Sequence, residues 1–314
     1  MAYTDTGGSS LGTSLVQTAY DRYVKFALRS TPMFRDFATV KPVAQAMPGS
    51  SVVFQLYNDM AAATSALTET SDVTPVAIGN TSTVTVTLTE YGNAALVTRK
   101  LQLFSLADVD PAIANMIAYN MADSTDVLVQ TVLRGGSQII RENSGSLVVG
   151  GATASVASTD VAKMRDFTTA VTKLRAASVV PVFGRGLYAA VVHPEVSHDL
   201  RAQTGQGGWL TPQEYGASQE RLDKGEIGAF GGAAFVENPR CYNATDGASS
   251  AKVHRSYVLG QECLAEAVAE EFHTVIGPVV DALKRHRPIG WYGVAGWNRY
   301  RATALWQIQT SSSI

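Results

Sequence analysis

Residues 187–202 read LYAAVVHPEVSHDLRA, and residues 225–239 read GEIGAFGGAAFVENP. The first string opens on the apolar run Leu187–Val192, which predicts a buried strand. His193-Pro194 ends this strand, because proline cannot donate a hydrogen bond to a β-ladder and restrains the residue before it. A short helix is predicted from the residues that follow, since two apolar side chains recur four residues apart.

The second string predicts a turn that leads into a strand. Its glycines, which include Gly228 and Gly232, lie before the predicted strand 233–237 rather than between a strand and a helix. They therefore lack the context of a dinucleotide-binding fingerprint. We predict a tight turn in which one or more of the glycines has a positive φ angle.

Composition restricts the class of protein. The chain has 314 residues, of which 46% are hydrophobic, and a net charge of −2. A protein that wraps nucleic acid is usually basic, so tight direct DNA binding is disfavoured. The two cysteines, Cys241 and Cys263, cannot form a disulfide framework, and we predict thiols in a reducing cytoplasm. Neither a signal peptide nor a membrane span is predicted.

The N-terminal third predicts an apolar arm followed by two strands with a long connection. Residues 10–29 have helical periodicity, and Phe34 and Phe37 follow them. Residues 51–57 and 83–89 have strong β composition, and the second of these strands alternates strictly. The connection between them carries acidic residues but no lysine or arginine. Connections longer than about 12–15 residues are usually functional or disordered, and this one fits a loop that reaches over a neighbouring subunit.

Two long helices are predicted farther along the chain. Pro111 near the start and Gly135-Gly136 at the end bound a helix over residues 108–134. A second helix over residues 160–177 takes Thr159 as its N-cap. The apolar stripe of the first helix comprises Ile113, Ile117, Met121, Leu128 and Val132. Further strands are predicted over residues 91–103, 146–149, 253–260, 274–281 and 291–309.

The densest polar cluster comprises His193, Glu195, His198 and Asp199. The two histidines are five residues apart, not the four that place both on one face of a helix in a zinc His-Glu-x-x-His arrangement. A hydrolase triad would need an exposed serine as well, and the chain has no Gly-x-Ser-x-Gly elbow. We therefore predict no catalytic, cofactor or metal site, and interpret the cluster as a strand end with solvated polar residues.

The sequence contains one short basic run, residues 284–287 (KRHR). Such a run is usually a solvated loop, although it could also face DNA or pair with acidic residues across a subunit boundary. Trp209 lies in a glycine-rich stretch, where a loop tryptophan would suit either a subunit contact or packing under its own domain.

The order of these parts resembles the major capsid proteins of tailed bacteriophages with the Hong Kong 97-type fold. In that family a strand ending in His-Pro or Asn-Pro precedes a helix carrying Asp-Leu, as His193-Pro194 and Asp199-Leu200 do here. A Gly-x-Ile/Val-Gly-x-x-Gly turn then introduces another strand, as residues 225–231 do. Among the branches, the pattern resembles the group typified by the podophage N-four, which lacks a long amino-terminal scaffolding extension.

The resemblance implies an α+β fold with an N-terminal arm, an extended β-hairpin loop, a peripheral domain with a long spine helix, and an axial domain. The implied boundaries are 1–50 for the arm, 51–100 for the loop, 101–185 for the peripheral domain with spine helix 108–134, 186–275 for the axial domain, and 276–314 for the return strands of the peripheral domain.

The function that the resemblance implies is self-assembly into the hexamers and pentamers of an icosahedral shell around double-stranded DNA. The shell would form in the bacterial cytoplasm and become the virion capsid. The implied partners are further copies of the chain, a separate scaffolding protein, a portal and, where the shell needs one, a decoration protein. No cofactor and no membrane are expected, and DNA would be enclosed without sequence-specific binding.

The resemblance also assigns residues to roles. The fold motif comprises His193, Pro194, Gly228 and Gly232. The expected intersubunit contacts are Phe34, Phe37, Leu67, Val84, Val86, Leu88 and Trp209. The type member of the fold cross-links its subunits from a loop lysine, but residues 58–83 contain none, so noncovalent locking is expected.

Three alternatives remain open. An encapsulin-type nanocompartment has the same fold and encloses cargo enzymes instead of a genome. A soluble hydrolase would use the His193 cluster. A tail-tube protein would be mostly β, and the two long predicted helices argue against it.

Overall fold

The computed structural model describes residues 33–42, 50–56, 82–104, 109–183, 186–203, 226–278 and 281–314, together with residues 60, 62–64, 66, 67, 69, 70 and 72. The chain divides into two compact units. One includes Gly92–Asn120 and His273–Trp291, and the larger comprises Ser30–Tyr91, Met121–Phe272 and Tyr292–Ile314. No described helix is both long and apolar enough to cross a membrane.

Within these ranges the chain forms four α-helices and fourteen strands. The helices are α1 (Arg99–Phe104), α2 (Val109–Arg134), α3 (Met164–Ala176) and α4 (Pro194–Ala202). The strands are β1 (Ala38–Pro42), β2 (Ser51–Leu56), β3 (Ser82–Thr87), β4 (Thr89–Thr98), β5 (Ile139–Asn143), β6 (Ser146–Val149), β7 (Tyr188–Val192), β8 (Glu226–Phe230), β9 (Ala233–Glu237), β10 (Asn243–Ala244), β11 (Val253–Leu259), β12 (Leu264–Ile276), β13 (His286–Arg299) and β14 (Leu305–Thr310).

The strands form three sheets. The largest has eight strands in the order β6-β5-β14-β11-β7-β9-β8, with β10 paired to β11. A four-stranded sheet has the order β1-β12-β13-β4, and β2 and β3 form a sheet of their own. Strands β7 and β9 are parallel, and α4 lies in the chain between them, which is the connection that parallel strands require.

The main core of the larger unit lies on the eight-stranded sheet. Every residue of β7 and β11 is buried, as expected for central strands covered on both faces. Helix α3 packs on this sheet, and its Phe167 ring lies 5.0 Å from the ring of Phe235 on β9. The alternation of strand and helix in residues 187–202 was therefore predicted correctly, and α4 begins at Pro194, one residue before the predicted start.

The predicted helix over 108–134 is confirmed as α2, but its buried stripe is displaced. Ile117 is buried as predicted, whereas in the second half of the helix the buried apolar residues are Val129 and Leu133 rather than Leu128 and Val132. The cause is that this half also buries Thr125, Asp126 and Gln130. Apolar periodicity alone does not identify which face of a helix is buried when that face also contains polar residues.

Two predicted boundaries are wrong for local reasons. The strand predicted over 91–103 ends at Thr98, where the Thr98 hydroxyl accepts the Leu101 N–H at 3.2 Å and α1 begins. The helix predicted from 160 starts at Met164, because the Asp160 carboxylate instead accepts the N–H groups of Ala157 and Gly145. A side chain that bonds to nearby backbone in this way competes with helix formation.

The group of return strands predicted over 276–314 is divided between sheets. Strand β13 lies in the four-stranded sheet, but β14 lies inside the eight-stranded sheet between β5 and β11. Strand β6, which was predicted, and β5, which was not, both lie in the range 101–185 that was assigned to the peripheral domain, and they belong to the same sheet as β7. The first half of β12 pairs in parallel with β1, although it was predicted inside the axial domain. Sheet partners are set by contacts that are remote in sequence, so the chain cannot be cut into consecutive blocks.

A buried carboxyl pair at the start of α3 makes stability depend on pH. The Glu142 side chain has no solvent exposure and is bonded by Arg165 at 2.7 Å and Lys163 at 3.3 Å. Asp166 accepts the Lys163 N–H at 2.9 Å. Burial, together with the neighbouring Glu142, raises the pKa of Asp166 to about 8.

The unfolded chain loses the Asp166 proton near the ordinary pKa of 3.8, whereas the folded chain keeps it. The folded state therefore binds more protons between these values, and the free energy of unfolding should fall as pH rises from about 4 to about 8. In Asp166→Asn this fall should be smaller by about 1 kcal/mol or more, because one pKa unit corresponds to about 1.4 kcal/mol. Urea denaturation at pH 5 and pH 8 measures it, with Asp123→Asn, at a partly exposed carboxylate, as the control. Equal pH dependence in parent and Asp166→Asn would contradict the expectation.

Candidate assembly surface

Strands β2 and β3 form an antiparallel hairpin with one apolar face. Val52 pairs with Val86, and Phe54 pairs with Val84. Because successive side chains of a strand point to opposite faces, these four residues share a face. The exposed threonines of β3 alternate with them. The strict alternation in the sequence thus predicted the two faces correctly.

The base of the hairpin is fixed to its own chain. Phe54 and Val86 are buried together with Ala265 and Ala267 of β12. The Phe54 ring lies 5.4 Å from the ring of Tyr300, nearly edge to face. Two hydrogen bonds add to this contact, from the Tyr300 hydroxyl to the Gln55 carbonyl at 3.2 Å and from the Asn298 amide to the Thr85 carbonyl at 2.8 Å.

The segment between the two strands is exposed wherever the structure describes it. Leu67 is 77% exposed and Met60 is 57% exposed. The described acidic residues of this segment, Glu69 and Asp72, are also exposed. The hairpin therefore has a base packed on its own chain and a connecting segment, the tip, that carries exposed apolar and acidic residues.

Two of the predicted intersubunit residues are buried inside the chain itself. Phe34 has no exposed surface and packs edge to face on Tyr257 at a ring separation of 5.9 Å. Val86 has no exposed surface either, because it packs with Phe54 against Ala265 and Ala267 of β12. As neither side chain offers a surface to a neighbour, the prediction is wrong for both.

The other predicted contact residues lie in different situations. Val84 and Leu88 are half-buried against the cluster at the hairpin base, and Phe37 is half-buried against the main core. Leu67 is exposed at the hairpin tip and stays a prediction. Trp209 lies outside the described residues.

The basic run 284–287 lines a cleft in the smaller unit. Arg99, Val97 and Leu103 form its other wall, and the Arg99 N–H donates to the Arg285 carbonyl at 2.8 Å. The Arg285 guanidinium also bonds Asp281 at 2.6 Å, which lowers the pKa of that carboxyl. The sequence did not indicate that Arg99 joins this basic cleft, because it is distant in the chain.

The smaller unit also carries an apolar groove beside the first half of α2. Ile113, Met116 and Ile117 line one side, and Ala94 and Trp291 contribute to the rest. The indole N–H of Trp291 donates to the Asn120 side chain at 2.9 Å. Met116 remains exposed.

The fold-motif residues hold a tight piece of backbone together. His193 is the N-cap of α4, where its Nδ1 accepts the Glu195 N–H at 3.3 Å, and Pro194 occupies the first helical position. Gly232 has φ +92° in the turn between β8 and β9, and a Cβ there would overlap the Arg175 guanidinium. Gly228 lies in β8, beside the irregularity in its pairing with β9. The prediction of a positive φ in this turn is confirmed.

The predicted polar cluster is divided in the structure. His193 and Glu195 lie together, but His198 is exposed and Asp199 bonds the backbone and side chain of Ser313 near the C-terminus. In place of these two, His254 of β11 joins His193 and Glu195. His254 was missed because it lies on β11, which is distant from His193 and Glu195 in the sequence.

Comparison with known proteins identifies the family of this arrangement. A family model described as phage capsid protein matches residues 12–304. The chain belongs to the phage capsid protein family. It is a shell-forming structural protein, and the family match favours a phage capsid over the encapsulin-type alternative. Among curated proteins none matches.

Solved structures agree over the whole chain. The capsid of Ralstonia phage GP4 matches with a TM-score of 0.75 at 16% identity and covers 97% of this chain and 98% of that chain. The head of Helicobacter pylori bacteriophage KHP40 gives 0.71 at 10% identity with both chains fully covered. The capsid of Cyanophage Pam1 gives 0.69 at 13% identity, covering 98% of this chain and 99% of that chain. The fold is the Hong Kong 97-like fold that the sequence predicted.

Proposed function

We propose that copies of this capsid protein associate as the hexamers and pentamers of an icosahedral shell that encloses the double-stranded DNA of a tailed bacteriophage. The observation that carries the proposal is the hairpin, whose base is seated on its own chain while Leu67 and Met60 near its tip are exposed. A tip of this kind needs a neighbour to bury it. Each contact is modest, and many contacts per subunit make the shell stable.

The charges of the described surface support a contact between copies. The segment around the tip is acidic and contains no lysine or arginine between residues 58 and 83. Arg99, Lys284 and Arg287 supply positive charge around the basic cleft. We infer that the tip of one copy lies near the cleft of another, since complementary charge fixes the register of an interface. Without a loop lysine, this contact would be locked noncovalently.

We further infer that the eight-stranded sheet forms the axial part of the subunit, and that α2 and the four-stranded sheet form the peripheral part. Assembly in the bacterial cytoplasm would then require a separate scaffolding protein, and the finished shell a portal and, where needed, a decoration protein. A net charge of −2 supports enclosure of DNA without sequence-specific binding.

Leu67→Asp should abolish closed particles while the subunit stays folded. A carboxylate at a buried apolar contact should weaken each contact by about 2 kcal/mol or more, and the loss recurs at every subunit of the shell. Thr64→Asp is the matched control, because it adds the same charge at an exposed polar position of the same segment. Electron microscopy and mass photometry of the purified proteins count the particles.

Normal shells from Leu67→Asp would overturn the role of the tip. A stable monomer from the parent chain, at all salt and protein concentrations, would overturn the assembly proposal itself. Particles filled with a cargo protein rather than a genome would support the encapsulin-type alternative.

A further inference from the structure

Three side chains of types that bind metal ions converge at the N-terminus of α4. The ligating atoms of His193, Glu195 and His254 all lie within 4.8 Å of one another. The two imidazole rings are 4.7 Å apart, and Nε2 of His254 is 3.0 Å from a carboxylate oxygen of Glu195. The sequence predicted no metal site, because only the first two of these residues are close together along the chain.

The fold explains this convergence. Strand β7 ends at Val192, so that His193 and Glu195 follow as the cap and first turn of α4. Strand β11 pairs with β7 in antiparallel register, with Tyr257 opposite Val191, and therefore carries His254 back toward the end of β7. The Nδ1 atom of His193 accepts the Glu195 N–H, which leaves Nε2 as its ligating atom.

His254 is the second observation that points to a ligand. Its side chain is 0% exposed, and among the described residues neither of its ring nitrogens has a hydrogen-bond partner of good geometry. Buried polar atoms are normally satisfied, and an exception calls for an explanation.

Lys252 is the one cation bonded to this cluster among the described residues. Its ammonium lies 2.7 Å from both carboxylate oxygens of Glu195. The Lys252 side chain is 44% exposed, so it can turn into solvent. A metal ion would then take over the positive charge that the carboxylate already attracts. Lys252 and a metal ion thus compete for Glu195.

We propose that His193, Glu195 and His254 form a binding site for a divalent transition metal ion, with zinc as the best match, that ties the N-terminus of α4 to β11. Two histidines and one carboxylate, with water in the fourth position, are a ligand set that zinc uses in proteins. Zinc–ligand bonds of about 2.0–2.2 Å require the three side chains to move closer together than they are here. The Lys252 side chain moves away as the ion enters.

The experiment titrates zinc into the full-length protein after treatment with a chelator, and calorimetry measures the affinity and stoichiometry. One zinc ion per chain is expected. His254→Ala should weaken binding by at least about 10-fold, since the loss of even an outer-shell partner costs about 10- to 100-fold. Lys252→Met should strengthen binding, because it removes the competitor. His198→Ala, at an exposed histidine outside the cluster, is the matched control and should bind as the parent does.

The opposite signs expected for His254→Ala and Lys252→Met separate metal binding from a purely structural role. If His254→Ala fails to fold, Glu195→Gln replaces it, because Glu195 is partly exposed and the change conserves shape. Cobalt titration gives an independent signal, since cobalt bound to these ligands absorbs visible light. Absence of zinc binding in both the parent and Lys252→Met, or equal binding in the parent and Glu195→Gln, would overturn the proposal.

Discussion

Asp126→Ala should lower the free energy of unfolding by about 3–5 kcal/mol, because the N–H groups of Met33 and Phe34 lose their acceptor inside the protein and Arg240 loses the buried one of its two carboxylate partners. The Asp126 carboxylate is almost fully buried on α2. One oxygen accepts the N–H groups of Met33 and Phe34, at 3.0 and 2.8 Å, and the other accepts from the Arg240 guanidinium at 2.8 Å. A single carboxylate thus joins three parts of the larger unit.

Two variants separate the components of this effect. Asp126→Asn keeps an acceptor for the two N–H groups but loses the charge opposite Arg240, so its loss of stability should be intermediate. Asp123→Ala removes the other carboxylate that contacts Arg240, which is partly exposed, and should cost about 1 kcal/mol or less. Urea denaturation of the three variants orders them. Equal stability of Asp126→Ala and Asp123→Ala would show that the buried network contributes little.

Asp126 also shows where sequence reasoning reaches its limit. Periodicity predicted α2 to within one residue at its start, since helix signals are local. The same periodicity has no means of recognising a buried aspartate, because its partners Met33, Phe34 and Arg240 are remote in sequence. The family resemblance predicted the fold and the shell function because it rests on local motifs, the His193-Pro194 segment and the glycine-rich turn at residues 225–231.

Long-range strand pairing accounts for much of what the sequence did not predict. Strand β14 pairs with β5 and β11 in the large sheet, and these partners are remote from it in sequence. His254 reaches His193 only through the pairing of β11 with β7. Alternation in β3 predicted an apolar face correctly, yet it could not distinguish a face buried by the same chain from one buried by a neighbour. Phe34 and Val86 were predicted to contact a neighbouring subunit, but both are buried by their own chain.

The packing of the hairpin base against β12 and β13 can be tested at a single glycine. Gly296 of β13 lies directly against the end of β3, and a Cβ at this position would overlap the carbonyl oxygen of Thr87 and come within 2.9 Å of a Val86 methyl group. The Thr87 carbonyl is backbone and cannot rotate away. Gly296→Ala should therefore displace β3 from its contact with β13. The free energy of unfolding should fall by about 1–3 kcal/mol, which is typical of overpacking.

This displacement should affect assembly more than folding, because the hairpin is a separate two-stranded sheet whereas the main core lies elsewhere in the larger unit. Gly296→Ala should give soluble subunits, faster proteolysis between residues 57 and 81, and almost no closed shells by electron microscopy. Gly135→Ala is the matched control, since its Cβ would meet the end of the Arg299 side chain, which can move. If Gly296→Ala formed shells in the same yield as the parent, the packing of the hairpin base would not be needed for assembly. The exposed tip alone would then direct the contact between subunits.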